Sequence, residues 1–195
     1  MTVSLCRGRV EASPGFLLLT AWLNYLDGDG VFLWVLAGCL CHEFGHLLAL
    51  RLLRVSVSRV RLTAVGAEIC IAGELSYPKE LLAALAGPGV NLLLAVCLSR
   101  VPGGVLPAGI NLVLGVFNLV PVGRLDGGRV LACVLGMTVG PEMGERVLTA
   151  VSWMWAVGLC VAGCCLLRFG GNGTLLLVAV WMAVSMAGIG GKRWN

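Results

Sequence analysis

Cys41-His42-Glu43-Phe44-Gly45-His46 stands inside an apolar run from Val31 to Leu53 and spells His-Glu-x-x-His. On a helix, positions i and i+4 share a face, so two imidazoles four apart can reach one metal ion. Glu43, one residue after the first His, leans toward the same place and can take a proton from a water that the metal activates. His42 and His46 are the only two histidines among 195 residues. Burying two imidazoles and a carboxylate in an apolar helix calls for a compensating partner, and a cation is one. The competing reading is a pair of satisfied core histidines on a packed helix.

A hydrolytic zinc site commonly has three protein ligands and an open position for water. No third histidine exists, so the ten acidic residues are the candidates. Glu11, Asp27, Asp29, Glu68, Glu74 and Glu80 lie in arms, turns, the hairpin or helix starts, and Glu142 and Glu145 in a polar link. Only Glu43 and Asp126 fall where apolar surroundings are expected. A buried Asp must be neutral, paired or bound to a cation. Asp126 is therefore the expected third ligand of Zn2+, beside His42 and His46, the alternative being ion pairing with Arg124 or Arg129. Glu43 is then the expected catalytic base of peptide-bond hydrolysis, returning its proton to the leaving amine.

The elements that must hold these residues are those of a membrane protein. Hydrophobic residues make up 58% and charged ones 12% of the chain, and the mean hydropathy is +0.95; soluble chains carry about twice that charge. The net charge of +4 is modest, and its bases stand at the ends of apolar runs, as loop anchors do. No nucleic-acid patch is expected. The nine cysteines are odd in number and mostly sit in apolar runs, like small buried hydrophobes and unlike a disulfide framework. Cys39 and Cys41 flank the histidines on other faces of their helix.

Residues 1–13 read as a short polar arm, and 14–26 as a first, thin or tilted membrane helix without a signal-peptide cleavage site after it. The motif helix 31–53 ends at Arg51 and Arg54, with Arg59 and Arg61 beyond, which points that end, and the site near it, to the cytosol. Residues 55–71 alternate and read as a β-hairpin whose free edge can hold an extended peptide, or else as a β-prone loop. Helix 81–98 carries Ala86-Gly87-Pro88-Gly89-Val90-Asn91; Asn91 is either interhelical glue or a substrate contact. Apolar 108–120 holds Asn111 and Asn118 on one face with Gly115. Pro121 then interrupts the chain before Asp126, and a broken helix carrying an acid is a common ion-site device. A polar link at 141–146 and spans at 147–167 and 174–189 complete about six transmembrane helices with both termini cytosolic. One membrane-embedded domain over 1–195 is expected, with a core at about 31–137.

His42-Glu43-Phe44-Gly45-His46 in a membrane helix, Ala86-Gly87-Pro88 with Asn91, and Asn118-Leu119-Val120-Pro121 leading to Leu125-Asp126-Gly127-Gly128 together resemble the site-2 protease family of intramembrane zinc metalloproteases. The resemblance implies a core of three membrane helices, zinc on the two His and the Asp, Glu43 as base, a membrane-associated β-hairpin, and Asn91 near the substrate. Asn118 is the second candidate substrate contact. The family cuts membrane-anchored regulatory proteins such as anti-sigma factors and transcription-factor precursors. Within it, the compact layout is most similar to stage IV sporulation protein FB-like members, which implies a sigma-factor precursor as client. Gly123-Arg124 stands where relatives often show another proline, and no PDZ-like insert or CBS domain is expected within 1–195. Two rivals use the same residues: a catalytically inactive membrane scaffold that binds client proteins, and a metal-ion carrier, which would need a second polar pathway.

Overall fold

The N-terminal residues expected as a polar arm are strands. In the computed structural model, which describes residues 2–5, 8–63, 66–123, 125–171 and 173–187, β1 (Thr2–Leu5) pairs antiparallel with β2 (Gly8–Ala12). β2 lies parallel to β3 (Val57–Thr63), with Val10 opposite Val60 and Glu11 opposite Arg61. β3 and β4 (Gly66–Ile71) form the expected hairpin, with Arg61 opposite Glu68. The result is a four-stranded sheet in the order β1-β2-β3-β4. Charges on the arm masked its strand character: Arg9 and Glu11 alternate with Val10, so a strand with one apolar face read as merely polar. One edge of the hairpin is thus covered by β2, and of the hairpin's two strands β4 keeps its outer edge unpaired among the described strands, as β1 does at the other end of the sheet.

The residues fall into two compact units, Met1–Phe117 and Asn118–Asn195. In the first, α1 (Pro14–Leu26) starts from Ser13, whose Oγ accepts from the Phe16 N–H at 3.2 Å, with Pro14 in the first turn. It buries none of its residues, and Leu18, Trp22 and Tyr25 stand open as side chains facing lipid do. α2 (Val31–Leu52) is capped by Asp27, whose carboxylate accepts from the Val31 and Phe32 N–H groups at 3.1 and 2.8 Å. It ends where Arg54 turns left-handed (φ 57°) and the Val55 N–H returns to the Leu50 carbonyl.

α3 (Tyr77–Leu98) packs along α2, and α4 (Val105–Asn118) packs on both. The contacts are small-residue contacts. A Cβ on Gly45 would lie 2.8 Å from the Ala86 carbonyl oxygen, and one on Gly38 2.8 Å from Leu114 Cδ1. Helices in lipid gain little from hydrophobic burial against one another, so close approach and hydrogen bonds must hold them. The core of this unit accordingly holds Ala83, Ala84, Pro88 and Asn91 while the large apolar side chains point outward.

The second unit holds α5 (Asp126–Thr138), α6 (Pro141–Arg168) and α7 (Thr174–Ala187). Residues 141–146, expected as a polar link, are the first turns of α6, because Gly140 (φ 90°) makes the turn and Pro141 suits a first helical position. Among the described residues three helices, α2, α3 and α6, are long and apolar enough to cross a membrane. The other described helices have 13 or 14 residues. At 1.5 Å per residue they rise about 20 Å, short of a hydrocarbon layer of about 30 Å. Residues 188–189 of the expected last span, and Arg124, lie outside the described residues.

Candidate metal centre

Both histidines of the motif are buried, His42 at 7% exposure and His46 at 6%. Their shared face exists because Gly45, between them, lets α2 come down onto α3 at Ala86-Gly87. Neither ring is left to rotate. His46 Nδ1 donates to the Ala83 carbonyl at 2.8 Å, and His42 Nδ1 donates to Asn91 Oδ1 at 2.6 Å. With both Nδ1 atoms committed as donors to oxygen acceptors, each neutral ring turns an unprotonated Nε2 outward. The two Nε2 atoms then face each other 3.1 Å apart.

Two lone pairs at that distance repel unless something positive lies between or beside them. Tetrahedral zinc with zinc–nitrogen bonds of about 2.0–2.1 Å wants its nitrogens about 3.3 Å apart. The donor set therefore fits a zinc-like cation. Gly87 completes the fit: a Cβ there would lie 2.8 Å from His42 Nε2 and closer still to His46 Nε2. The space in front of both donor atoms is kept open by the lack of a side chain.

Glu43 follows His42 on α2 and is half-buried, one step round the helix from the paired imidazoles. Asn91 is fully buried. Its amide nitrogen donates to the Gly38 carbonyl at 3.1 Å and to Asn111 Oδ1 at 2.8 Å while its oxygen receives His42. Its place is behind His42, and an open face for substrate contact is not what surrounds it. Asn118, the last residue of α4, is half-buried.

In the second unit Asp126 is buried at the first position of α5, where the free N–H groups of a helix start favour a carboxylate. The chain reaches it through a loop pressed against the helix it starts. A Cβ on Gly127 would overlap the Leu119 carbonyl, and one on Gly128 the Val122 carbonyl. Ser152 of α6, itself buried, accepts the Gly123 N–H on its Oγ at 3.1 Å. Arg129 reaches Asp126 at only 3.8 Å and is one-third exposed, which makes it a weak ion pair.

The sequence reading missed Ala83, Gly87 and Asn111 as parts of the centre. Asn111 was grouped with Asn118 by helical face, whereas its partner is Asn91. The available signal was the spacing of four between Ala83, Gly87 and Asn91, which puts all three on one stripe of α3. The eight described cysteines, Cys39 and Cys41 among them, form no disulfide among the described residues.

Comparison with known proteins bears on the same residues. The family model for peptidase family M50 matches residues 105–162. The zinc metalloprotease Rip3 of Mycobacterium tuberculosis is 33% identical over 178 residues, covering 84% of this chain and 44% of Rip3. The zinc metalloprotease sll0528 of Synechocystis is 31% identical over 140 residues, covering 63% and 37%. The chain thus spans less than half the length of these curated relatives. The solved Site-2 Protease from Methanocaldococcus jannaschii superposes with a TM-score of 0.73 at 20% identity, over 100% of this chain and 97% of that one, and shows the fold. With three apolar helices of spanning length, the chain is an integral membrane protein. On its motifs, its fold and these relatives, the chain is similar to the site-2 proteases of peptidase family M50, whose model matches residues 105–162.

Proposed function

We propose that this chain is an intramembrane zinc endopeptidase, with His42, His46 and Asp126 as metal ligands and Glu43 as the catalytic base. The observation that carries it is the facing pair of Nε2 atoms, 3.1 Å apart with both Nδ1 atoms spent. The third ligand is supported by chemistry: Asp126 is buried and offers a carboxylate oxygen, as each His offers a ring nitrogen. Bound zinc supplies a Lewis acid for the scissile carbonyl and for the attacking water. Glu43 takes the proton of that water and hands it to the departing amine. The apolar setting of α2 keeps other water away and strengthens every charge interaction there.

The substrate is a membrane-anchored regulatory protein, an anti-sigma factor or a transcription- or sigma-factor precursor of the kind implied by likeness to stage IV sporulation protein FB. A helix shields its own peptide bonds, so the substrate must be extended where it is cut. The outer edge of β4 offers N–H and C=O groups for such a strand, and Asn118 is the side chain assigned to contact it. The layout is about six spans in a bacterial cytoplasmic membrane, with the site toward the cytosol, where Arg51, Arg54, Arg59 and Arg61 gather. A regulatory membrane partner is compatible with this arrangement.

The test is zinc content and cleavage together. Purified protein is expected to carry about one zinc per chain, and Glu43→Gln to retain it while cleavage of a co-expressed single-span regulator falls about 100-fold or more. Uncut client accumulating only beside the Gln variant identifies the substrate. Wild-type protein without zinc, or full complementation by the Gln variant, returns the inactive-scaffold reading.

A further inference from the structure

Ala83, Gly87 and Asn91 form one stripe on α3, and each meets the histidine pair in its own way. The first takes the His46 proton on its carbonyl, the second leaves room for both Nε2 atoms, and the third takes the His42 proton on its side-chain oxygen. The Asn91 contact is the one built from side chains, and its direction is set from outside the pair. The amide nitrogen must face the Gly38 carbonyl, which can only accept, and its second hydrogen goes to Asn111 Oδ1. Asn111 is held in turn by its own nitrogen, which donates to the Pro107 carbonyl at 2.9 Å. Turning the Asn91 amide over would set its oxygen against two acceptors. The oxygen is therefore committed to His42, and His42 to protonation at Nδ1.

We propose that Asn91, locked by Asn111, is the positioning residue of the metal centre: it holds His42 in the tautomer and ring rotation that aim Nε2 at the cation. This rests on the metalloprotease reading only in taking His42 as a ligand. It moves Asn91 from substrate contact to a place behind the metal and gives α4 a part in the site, through Asn111. Loss of an orienting partner behind a metal-bound histidine lowers metal affinity about 10- to 100-fold.

The experiment compares the full chain in detergent with Asn91→Leu and Asn91→Asp, measuring zinc affinity by competition with a chromogenic chelator. Both variants lose the donors to Gly38 and Asn111, but only Leu loses the acceptor for His42. Asn91→Leu is expected to weaken zinc binding about 10- to 100-fold, and Asn91→Asp, which keeps the acceptor for His42 but sets an oxygen against Gly38 and Asn111, to weaken it less. Equal weakening in the two variants, or none in Leu, overturns the proposal. A second measurement needs no variant. The chain has two histidines, so ring-15N labelling of the zinc-loaded wild type yields two ring systems. His42 is expected with its proton on Nδ1 and zinc on Nε2; zinc on Nδ1 overturns the proposal whatever the variants do. A wild type that binds no zinc sinks the metalloprotease reading as well, whereas a zinc-binding wild type with indifferent variants sinks this proposal alone.

Discussion

At the scale of single residues, the centre depends as much on what is missing as on what is present. Gly87 carries no chemistry, yet any side chain there enters the space in front of both Nε2 atoms. The histidines cannot retreat, because Ala83 and Asn91 hold their other nitrogens. Gly87→Ala is therefore expected to reduce zinc from about one per chain to a small fraction, while overpacking costs about 1–3 kcal/mol of stability. Metal analysis beside thermal unfolding in detergent checks both; full zinc occupancy in the Ala variant would mean that the rings have more freedom than their hydrogen bonds imply. The same paired hydrogen bonds explain why two histidines can be buried at all: each ring has a hydrogen-bond partner on its far side.

Helices and strands set where these residues stand. α5 starts at Asp126 because residues 119–123 fold tightly onto its first turn, which Gly127 and Gly128 permit and Ser152 anchors. Ser152→Ala strands the Gly123 N–H, and the expected cost is about 1 kcal/mol, read as a lower unfolding midpoint. Gly127→Ala is far harsher, because the clash is with backbone; loss of folded protein is the expected outcome, assayed by expression and size-exclusion profile. In the sheet, β2 covers one side of the hairpin, so an incoming strand has the β4 edge. A photo-crosslinking residue replacing Glu68, which is exposed on β4, is expected to capture the substrate in the Glu43→Gln background. The same probe at Leu18 on α1 should capture none. Cross-linking from both positions alike would remove the strand-addition picture.

At the scale of the whole molecule, the claims concern orientation in the membrane. Arg51 and Arg54 end α2, and Arg59 and Arg61 follow in β3, so this end is expected in the cytosol and the turn at Gly103 on the opposite side. Reporter fusions decide it. A cytosol-active enzyme fused after Arg54 and an export-active one fused after Gly103 should both be active, and the exchanged pair inactive. The reverse result would put the histidines near the outer surface and exclude a cytosolic cut.

Much of the centre was legible in the chain itself, since its signals are local. His42, Glu43 and His46 lie within one helical turn, so spacing alone puts them on one side of α2, and apolar runs announce membrane helices because the bilayer accepts little else. Asp126 stood out by elimination, as an acid where apolar surroundings were expected. What remained hidden depends on partners distant in sequence. The strand at residues 8–12 is stabilised by β3, about 50 residues on, and its charges disguised it until that partner was in place. Asn91 read equally as glue or as substrate contact, because its donors and acceptors come from Gly38, His42 and Asn111 on two other helices. Gly87 was legible only as part of the Ala86-Gly87-Pro88 block: its part in front of the two Nε2 atoms appears when the atoms that would collide with its absent side chain are known.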